Sequence, residues 1–517
     1  MPSFWLVFLP VLGSENIPAI DGKFTARIRA PVDKCSLVRA SAHSPHLLVA
    51  LPAGPHCLAR NMVPTDTIAA LATPRGESAV ALVRLSGPLC ERLAADLFAR
   101  SAAPAPRRAT LGTYRDLAGR AVDQCLFTFF AEGASYTGEA SLEIIPHGNP
   151  LVVRLLLADL AARGVRPAEP GEFTRRAFLN DRLDLTEAEA VADLIHARSE
   201  RALEVARKQL AGDLGRRVAD WTDRLLQVIA ELEAYIDFPE EDLPAEDASA
   251  PPVRALALAR EWMRAAETAD RHAALSGGVR TVILGAPNAG KSSLLNALLG
   301  EERALVSPEA GTTRDFITET VTVGPHCLRL VDTAGLRHDA TSDIERRGIG
   351  KTLEKAAQAD FALVVLDASE PPPALPAEAT AFLRPGNALV VLNKADLPAH
   401  PDTDPAKLFP GLPRVSLSLL TGDGFDAFRA RLVELLERDG LAPGEDDLVV
   451  NARHAEALRS GAEALRRADA LLRRADRPVE LAVGEMRQAL DRLGDIVGRI
   501  DNELMLDRLF ATFCIGK

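Results

Sequence analysis

Several things are scarce in this 517-residue chain, and each scarcity excludes a class of protein. Aromatic residues make up only 5% of the sequence, so its cores must be built from Leu, Ala and Val, which favours helices and α/β layers over an all-β sandwich. The six cysteines, at positions 35, 57, 90, 125, 327 and 514, never form C-x-x-C. That scatter fits neither a disulfide framework nor a cysteine zinc site, and it suits a reducing, cytoplasmic setting. Positive charge is not in excess: the formal net charge is −12, so a basic nucleic-acid coat over the whole surface is excluded, though a local basic face is not. Apolar runs are short. The longest, residues 4–12 (FWLVFLPVL), contains Pro10, follows no Lys or Arg, and falls well short of the roughly 18 residues a membrane helix requires. No membrane span is expected.

What is present is enough apolar sequence, 47%, to build the several domains that a chain of this length implies. Residues 1–61 carry Pro, His, Ser and Arg without a sustained period and are expected to be a non-native or disordered extension, with Met62 as the natural start. Residues 66–85 read as two strands around a turn at Pro74-Arg75-Gly76. Segments 122–130 and 141–145 read as further strands, and 149–163 as a helix. From Leu185 to Phe238 the apolar residues recur at three and four, an almost unbroken helix with Thr186 and Glu189 as a capping box. A second helix is expected over 252–274. Residues 279–440 alternate short apolar strands with helices, the form of a parallel sheet. Helical periodicity returns over 451–513, so the α/β segment reads as an insertion into a helical domain.

The α/β segment carries its chemistry in order. Strand 280–284 runs into Gly285-Ala286-Pro287-Asn288-Ala289-Gly290-Lys291-Ser292, the G-x-x-x-x-G-K-S loop whose backbone N–H groups cradle phosphates. Lys291 reaches the β/γ phosphates, and Ser292, followed by Ser293, supplies a Mg²⁺ ligand. Thr313, in Gly311-Thr312-Thr313-Arg314-Asp315, closes the Mg²⁺ shell as the switch threonine. Asp332-Thr333-Ala334-Gly335 ends a strand: Asp332 holds Mg²⁺ through water and Gly335 offers its N–H to the γ phosphate. In Asn393-Lys394-Ala395-Asp396, the Asp396 carboxylate can accept from guanine N1–H and the 2-amino group, a donor pair that adenine lacks. Ser418 and Leu419 fall where a last base-contacting loop belongs. These signals together specify a GTP-binding switch domain. Leu336 occupies the position where a water-orienting glutamine often stands, and an apolar side chain cannot orient water. Asp339, Asp343 and Glu345 are the nearby acidic candidates. The Arg459, Arg466, Arg467, Arg473, Arg474 and Arg477 run is interleaved with acids and reads as a solvated face, with contact to nucleic-acid phosphates as the sharper alternative.

From Thr65 onward the chain resembles the MnmE/TrmE family of tRNA-modification GTPases. The likeness rests on DTIAALATP at 66–74, RLSG at 84–87, SYTGE at 135–139, GEFTRRAFLNDRLDL at 171–185, EAEAVADLI at 187–195, the GTPase motifs, and the terminal Phe513-Cys514-Ile515-Gly516-Lys517. The resemblance implies an N-terminal α+β folate-binding and dimerisation domain over 62–181, a helical domain in two parts, 182–275 and 441–517, and a mostly parallel P-loop GTPase domain over 276–440. It implies a homodimer working with an MnmG/GidA-like, FAD- and NADH-using partner in a heterotetramer. Together they place a carboxymethylaminomethyl-type group on C5 of the wobble uridine of certain tRNAs, with 5-formyl- or methylene-tetrahydrofolate as carbon source. It further implies K⁺ at Asn288, Ser307, Glu309 and Thr312, Glu345 acting through water on the attacking water, folate contacts at Arg84, Glu143, Arg182 and Lys517, and a functional Cys514. Arg182 stands where lysine is usual, and the family's H-G-G is here His147-Gly148-Asn149. A ribosome-assembly GTPase and a non-catalytic GTP-gated scaffold are the rival readings.

Replacing Asp396 by Asn should weaken GTP binding and admit xanthosine triphosphate, because each charge-assisted hydrogen bond is worth about 1.5–3 kcal/mol. Fluorescence titration with both nucleotides checks it, and unchanged GTP affinity would remove Asp396 from base recognition.

Overall fold

The computed structural model divides into two compact units, Met1–Pro64 and Thr65–Lys517. It describes residues 26–27, 38–40, 48–49, 66–102, 104–237, 250–301, 319–330, 359–373, 380–438, 448–498, 506, 509–511 and 513–516. In the first unit, Ala26–Arg27, Val38–Ala40 and Leu48–Val49 pair as a small antiparallel sheet. The second unit, Thr65–Lys517, is the larger.

Its N-terminal part holds β1 (Ile68–Leu71), β2 (Ser78–Val80), β3 (Val83–Ser86), α1 (Cys90–Asp96), β4 (Thr110–Arg115), β5 (Ala121–Phe130), β6 (Ser141–Ile145), β7 (His147–Gly148), α2 (Pro150–Ala162), β8 (Arg166–Pro167) and α3 (Glu172–Leu179). Six of these strands form one sheet in the order β8-β1-β3-β6-β5-β4, antiparallel except for β8 against β1. Cys125, Phe127 and Phe129 alternate inward along β5, as the two-residue period of a strand requires. They meet Leu93 and Leu97, together with Leu156 and Leu160 of α2, in one core. The strand expected after Gly76 is split in two. Exposed β2 peels away to pair with β7, and β3 alone returns along β1. Hydrophobic alternation in this segment is continuous, so it does not reveal that one limb serves two sheets.

The helical part contains α4 (Leu185–His196), α5 (Glu200–Leu210), α6 (Asp213–Asp237), α7 (Ala250–Ala266), α8 (Ala269–Gly277), α11 (Ala452–Leu472) and α12 (Val479–Val497). The single helix expected from Leu185 is three. Ser199 caps α5 through its side chain, and Gly212, at φ 81°, turns the chain in a conformation that costs a glycine little. Likewise the 252–274 segment breaks at Thr268, and the 451–513 segment breaks before Pro478 and again at Gly498 (φ 94°). The capping box also lies two residues earlier than the sequence suggested. Asp184 accepts from Glu187 N–H at 2.8 Å, while Glu187 accepts from Asp184 N–H at 2.9 Å. Thr186 donates to Asp184, and Glu189 is turned inward for another purpose.

That purpose is to join the two helical segments across the inserted domain. Trp221, Leu225, Leu258 and Trp262 from before the insertion pack with Leu458, Leu465, Met486 and Leu493 from after it. Gly461 permits the approach: a Cβ there would lie 2.7 Å from the Trp262 ring. At the junction, buried Glu189 accepts from Arg453 Nε at 2.8 Å, lies 2.7 Å from His454 Nε2, and accepts from Asn451 at 2.9 Å. Thr268 Oγ1 lies 2.9 Å from the Leu448 carbonyl and accepts Val450 N–H at 3.1 Å, so one hydroxyl grips the returning chain. Gln209 donates to the Val449 carbonyl at 2.9 Å.

Between the helical segments lie β9 (Val279–Leu284), α9 (Lys291–Glu301), β10 (Glu319–Val323), β11 (His326–Leu330), β12 (Phe361–Asp367), β13 (Ala388–Asn393), β14 (Arg414–Ser416) and α10 (Phe425–Arg438). Their sheet runs β10-β11-β9-β12-β13-β14, parallel except for the β10–β11 hairpin. Residues Phe361–Leu366 are buried on both faces, which explains why this strand reads as a continuous apolar run. No described helix is long and apolar enough to cross a membrane.

Burial would raise the Glu189 pKa, but the hydrogen bond and field of His454 and the Arg453 guanidinium overturn this and hold it at about 2. The stability it contributes is therefore present above the ordinary value of 4.5 and fades as pH falls toward 2. Glu189→Ala should cost about 3–5 kcal/mol near pH 7, the range for removing one partner of a buried pair. The deficit should shrink as pH falls from about 4.5 toward 2, because the unfolded wild-type chain takes up a proton at this carboxylate before the folded one does. Thermal unfolding followed by circular dichroism from pH 3 to 8 reads both; identical melting at pH 7 would show that the junction does not depend on this carboxylate.

Candidate functional site

The phosphate loop joins the end of β9 to the start of α9, beside the point where the sheet order reverses. The chain leaves β9 for β10 and β11 on one side and then crosses to β12 on the other, which opens a crevice at the strand ends where nucleotides bind. Three residues of the loop have positive φ: Gly285 at 153°, Asn288 at 61° and Gly290 at 102°. Gly290 tolerates no side chain, because a Cβ there would lie 2.0 Å from Asn393 Nδ2. Such a curl turns successive N–H groups to one side, where the α9 N-terminus adds its positive end. Lys291, in the first turn of α9, donates from Nζ to the Ala286 carbonyl across the loop at 2.6 Å. Ser292 and Ser293 follow it.

Buried Asn393 links the phosphate loop to the loop of Ser418 and Leu419. Its Nδ2 donates to the Ala289 carbonyl at 2.9 Å and its Oδ1 accepts Leu419 N–H at 3.2 Å. Lys394, at φ 62°, pairs with Asp367 at the end of β12. Burial alone would raise the Asp367 pKa, but the Lys394 and Ser369 contacts lower it. Ala395 N–H bonds the Leu417 carbonyl at 3.1 Å, bringing the Asp396 turn beside the Ser418–Leu419 loop. Asp396 is exposed and Ser418 buried. The structure thus brings Asn288, Ala289, Gly290, Lys291, Asn393, Lys394, Asp396, Ser418 and Leu419 to one end of one sheet. Ser307, Glu309, Thr312, Thr313, Asp332, Thr333, Ala334, Gly335, Glu345 and Lys517 lie outside the described residues.

A second site lies in the N-terminal part. A cavity of about 320 Å³ is lined by Arg84, Arg107, Phe130, Ser135, Tyr136, Thr137, Glu143, Arg182 and their neighbours. Arg84 and Glu143 face each other across β3 and β6, with Arg84 Nε 3.0 Å from Glu143 Oε1. The Arg84 guanidinium also sits 5.8 Å from the Tyr136 ring and 6.0 Å from the Phe173 ring. Arg182 reaches the same cavity from the α3–α4 connection, so three residues far apart in sequence converge. Arg107, Tyr136 and the buried hydroxyls of Ser135, Thr137 and Ser141 were not singled out from sequence; the SYTGE motif was the signal for three of these five.

Behind this cavity, fully buried Arg176 bonds Asp66 Oδ1 at 2.6 Å, Glu172 at 2.9 Å and Glu139 at 3.2 Å. Ser86 connects to the same group, donating to Glu139 at 2.6 Å and lying 2.6 Å from Thr137 Oγ1. The C-terminal tail lies against this part of the molecule. Phe510 and Phe513 pack on Leu185 and Ala188, Gly171 N–H meets the Cys514 carbonyl at 3.4 Å, and Gly516 passes so close to Leu71 that a Cβ would lie 2.7 Å from its carbonyl. Cys514 is exposed, with its sulfur 4.0 Å from His196 Nε2, and it is not among the residues lining the cavity. On α11, Arg467 pairs with Glu485 and Arg459 donates to the Ala266 carbonyl; just past its end, Arg473 pairs with Asp469 and Arg474 with Asp476. No group of His, Cys, Asp and Glu among the described residues could hold a metal ion.

A phosphate loop at a sheet switch point, coupled through Asn393 to an exposed Asp396, defines a P-loop GTPase domain carried within a helical one. The family profile described as "MnmE helical domain" matches residues 185–514, and "GTP-binding protein TrmE N-terminus" matches residues 67–182. The chain is 50% identical over 454 residues to the tRNA modification GTPase MnmE of Opitutus terrae, covering 87% of this chain and 99% of that protein. It is 42% identical over 464 residues to the protein of the same name from Akkermansia muciniphila (88% and 99% covered) and 39% identical over 457 residues to that of Aquifex aeolicus (87% and 100%). The chain belongs to the MnmE family of tRNA modification GTPases and is a GTP hydrolase.

Proposed function

We propose that this GTPase acts on tRNA, as the names of its relatives say of them, and that it does so as a K⁺-activated homodimer. With an MnmG/GidA-like FAD-dependent partner, it adds a carboxymethylaminomethyl-type group to C5 of the wobble uridine. The domains proposed for these tasks are 62–181 for folate and dimerisation, 276–440 for GTP, and 182–275 with 441–517 as the helical frame.

The observation that carries the chemistry is the cavity in which Arg84, Glu143 and Arg182 converge beside an aromatic ring. A paired guanidinium and carboxylate can hydrogen-bond the donors and acceptors of a pterin ring, and the Tyr136 edge can pack against it. A reduced folate bound there supplies the one-carbon unit. Arg84 and Glu143 orient the ring, while the buried hydroxyls of Ser135, Thr137 and Ser141 close the floor. Lys517 and Cys514 are assigned to the same chemistry through the tail, which packs on α4 within the same unit.

In the GTPase domain, Ser292 and Thr313 are assigned to Mg²⁺, and Asn288 with Ser307, Glu309 and Thr312 to K⁺. Asn288 holds a left-handed backbone within the phosphate loop, a conformation asparagine adopts more readily than most side chains. A monovalent cation there would offset the charge that develops on the phosphates, and Glu345 would position the water that Leu336 cannot. Homodimerisation is supported by apolar surface on the N-terminal part. Cross-strand partners Leu111 and Leu126 are 60% and 43% exposed, and Leu151 and Leu155 share an exposed face of α2.

Two measurements test this reading. GTP turnover should be faster in KCl than in NaCl at equal ionic strength; equal rates would strip Asn288 and residues 307–312 of the cation role. Separately, tRNA nucleosides from cells lacking the protein should lose the wobble-uridine modification by mass spectrometry, and the wild-type chain should restore it. Cys514→Ser should leave GTP turnover near normal yet fail to restore modification. Full restoration would make Cys514 a bystander, and an unmodified profile with wild-type chain would reject the tRNA reading.

A further inference from the structure

The cavity between β3, β6 and the α3–α4 connection has a floor and a mouth of different character. Its floor is neutral. Ser135, Thr137 and Ser141 are buried and hydrogen-bonded among themselves and to Glu139, with Ser135 Oγ donating to the Glu139 carbonyl at 2.6 Å. Its inner wall is neutral in sum, because Glu143 cancels Arg84. The mouth is not. Arg107 and Arg182 are both exposed, both line the cavity, and among the described residues neither guanidinium has a hydrogen-bonding or ion-pairing partner. No lining carboxylate remains to balance them, since Glu143 is committed to Arg84. Two positive charges therefore stand at the entrance of a cavity that is otherwise balanced.

Arg107 is also held in place at a cost. Its backbone sits at φ 59°, a left-handed conformation that disfavours a side chain, and its N–H is fixed to the Phe129 carbonyl at 2.8 Å. Phe129 precedes Phe130, which lines the cavity, so this bond ties the Arg107 loop to the cavity wall. About 320 Å³ is at the low end for a small-molecule site, so a ring system can fill it while a longer flexible chain must leave through the mouth.

Resting on the folate reading above, we propose that the site selects the poly-γ-glutamylated form of the folate. In this assignment Arg107 is a specificity-determining residue that engages the carboxylates beyond the first glutamate. Each added γ-glutamyl residue brings one more carboxylate to the cationic mouth while the ring remains seated against Arg84 and Glu143. Guanidinium–carboxylate pairing at an exposed rim is salt-sensitive, so the preference should weaken as ionic strength rises.

The test is equilibrium titration of the full-length protein with 5-formyltetrahydrofolate bearing one or three γ-linked glutamates, in low and high salt. Wild type should bind the triglutamate about tenfold more tightly in low salt, the scale of one or two partly screened charge-assisted bonds. In Arg107→Gln the ratio of the two affinities should fall at least threefold, with only Arg182 left at the mouth, and Arg107→Lys should recover part of it. Equal affinity of wild type for both forms, or a ratio that survives Arg107→Gln, would overturn the assignment. Binding of neither form by wild type is a distinct outcome: it rejects the folate reading and this inference with it.

Discussion

A guanidinium with no solvent exposure must be surrounded by carboxylates, and Arg176 has three around it: Asp66, Glu139 and Glu172. These carboxylates come from the entry to the first strand of the main N-terminal sheet, from the SYTGE loop and from the arginine's own helix. Arg166 adds a second bridge, binding Asp66 at 2.7 Å and Glu172 at 2.6 Å. Burial would raise the Glu172 pKa, but the hydrogen bond from Arg166 leads the contacts that lower it instead. Because Glu139 also accepts from Ser86, which touches Thr137, the charge cluster is continuous with the hydroxyl floor of the cavity. The helix of Arg176 leads in turn to Arg182 at the mouth. Removing Arg176 would leave the largely buried carboxylates of Glu139 and Glu172 without the cation between them, so the shape of the cavity depends on it.

The helical domain answers a different constraint. A domain inserted into a chain must let that chain leave and return without opening the host core. Here the return is held by Thr268 and Gln209 against residues 448–450, and then by Glu189 against Asn451, Arg453 and His454. Thr268 lies at the α7–α8 joint, Gln209 is near the end of α5, and Glu189 belongs to the helix that begins beside the C-terminal tail. The GTPase domain has its own contact with this frame: Arg198 meets Thr320, and Arg201 N–H meets the Pro325 carbonyl at the tip of the hairpin.

Within the GTPase domain, the close approach of Gly290 to Asn393 ties the Gly285–Ser292 loop to the Asn393–Asp396 turn. The asparagine that binds the phosphate-loop carbonyl also holds the loop of Ser418 and Leu419. Both loops must therefore adopt compatible conformations, a requirement that explains a left-handed Lys394 next in the chain, braced on Asp367.

Sequence by itself determined much about this protein, because its strongest signals are local. The phosphate loop, the Asn393–Asp396 motif and the buried parallel strands depend on spacing within a few residues, and spacing is visible in one dimension. The two-residue burial period of Ala121–Phe130 was legible for the same reason. Helix ends were less so. The breaks at Ser199, Gly212, Thr268 and Gly498 interrupt a periodicity that continues across them, and the capping box was misplaced because Glu189 has the spacing of a cap. Only the tertiary structure decided that Glu189 points inward to Arg453, more than 250 positions away, since burial of a charge depends on what the rest of the fold brings to it. The same holds for Arg107. Nothing in its neighbours marks it, and it joins Arg84, Glu143 and Arg182 because sheet pairing and a buried arginine cluster draw four distant segments around one cavity.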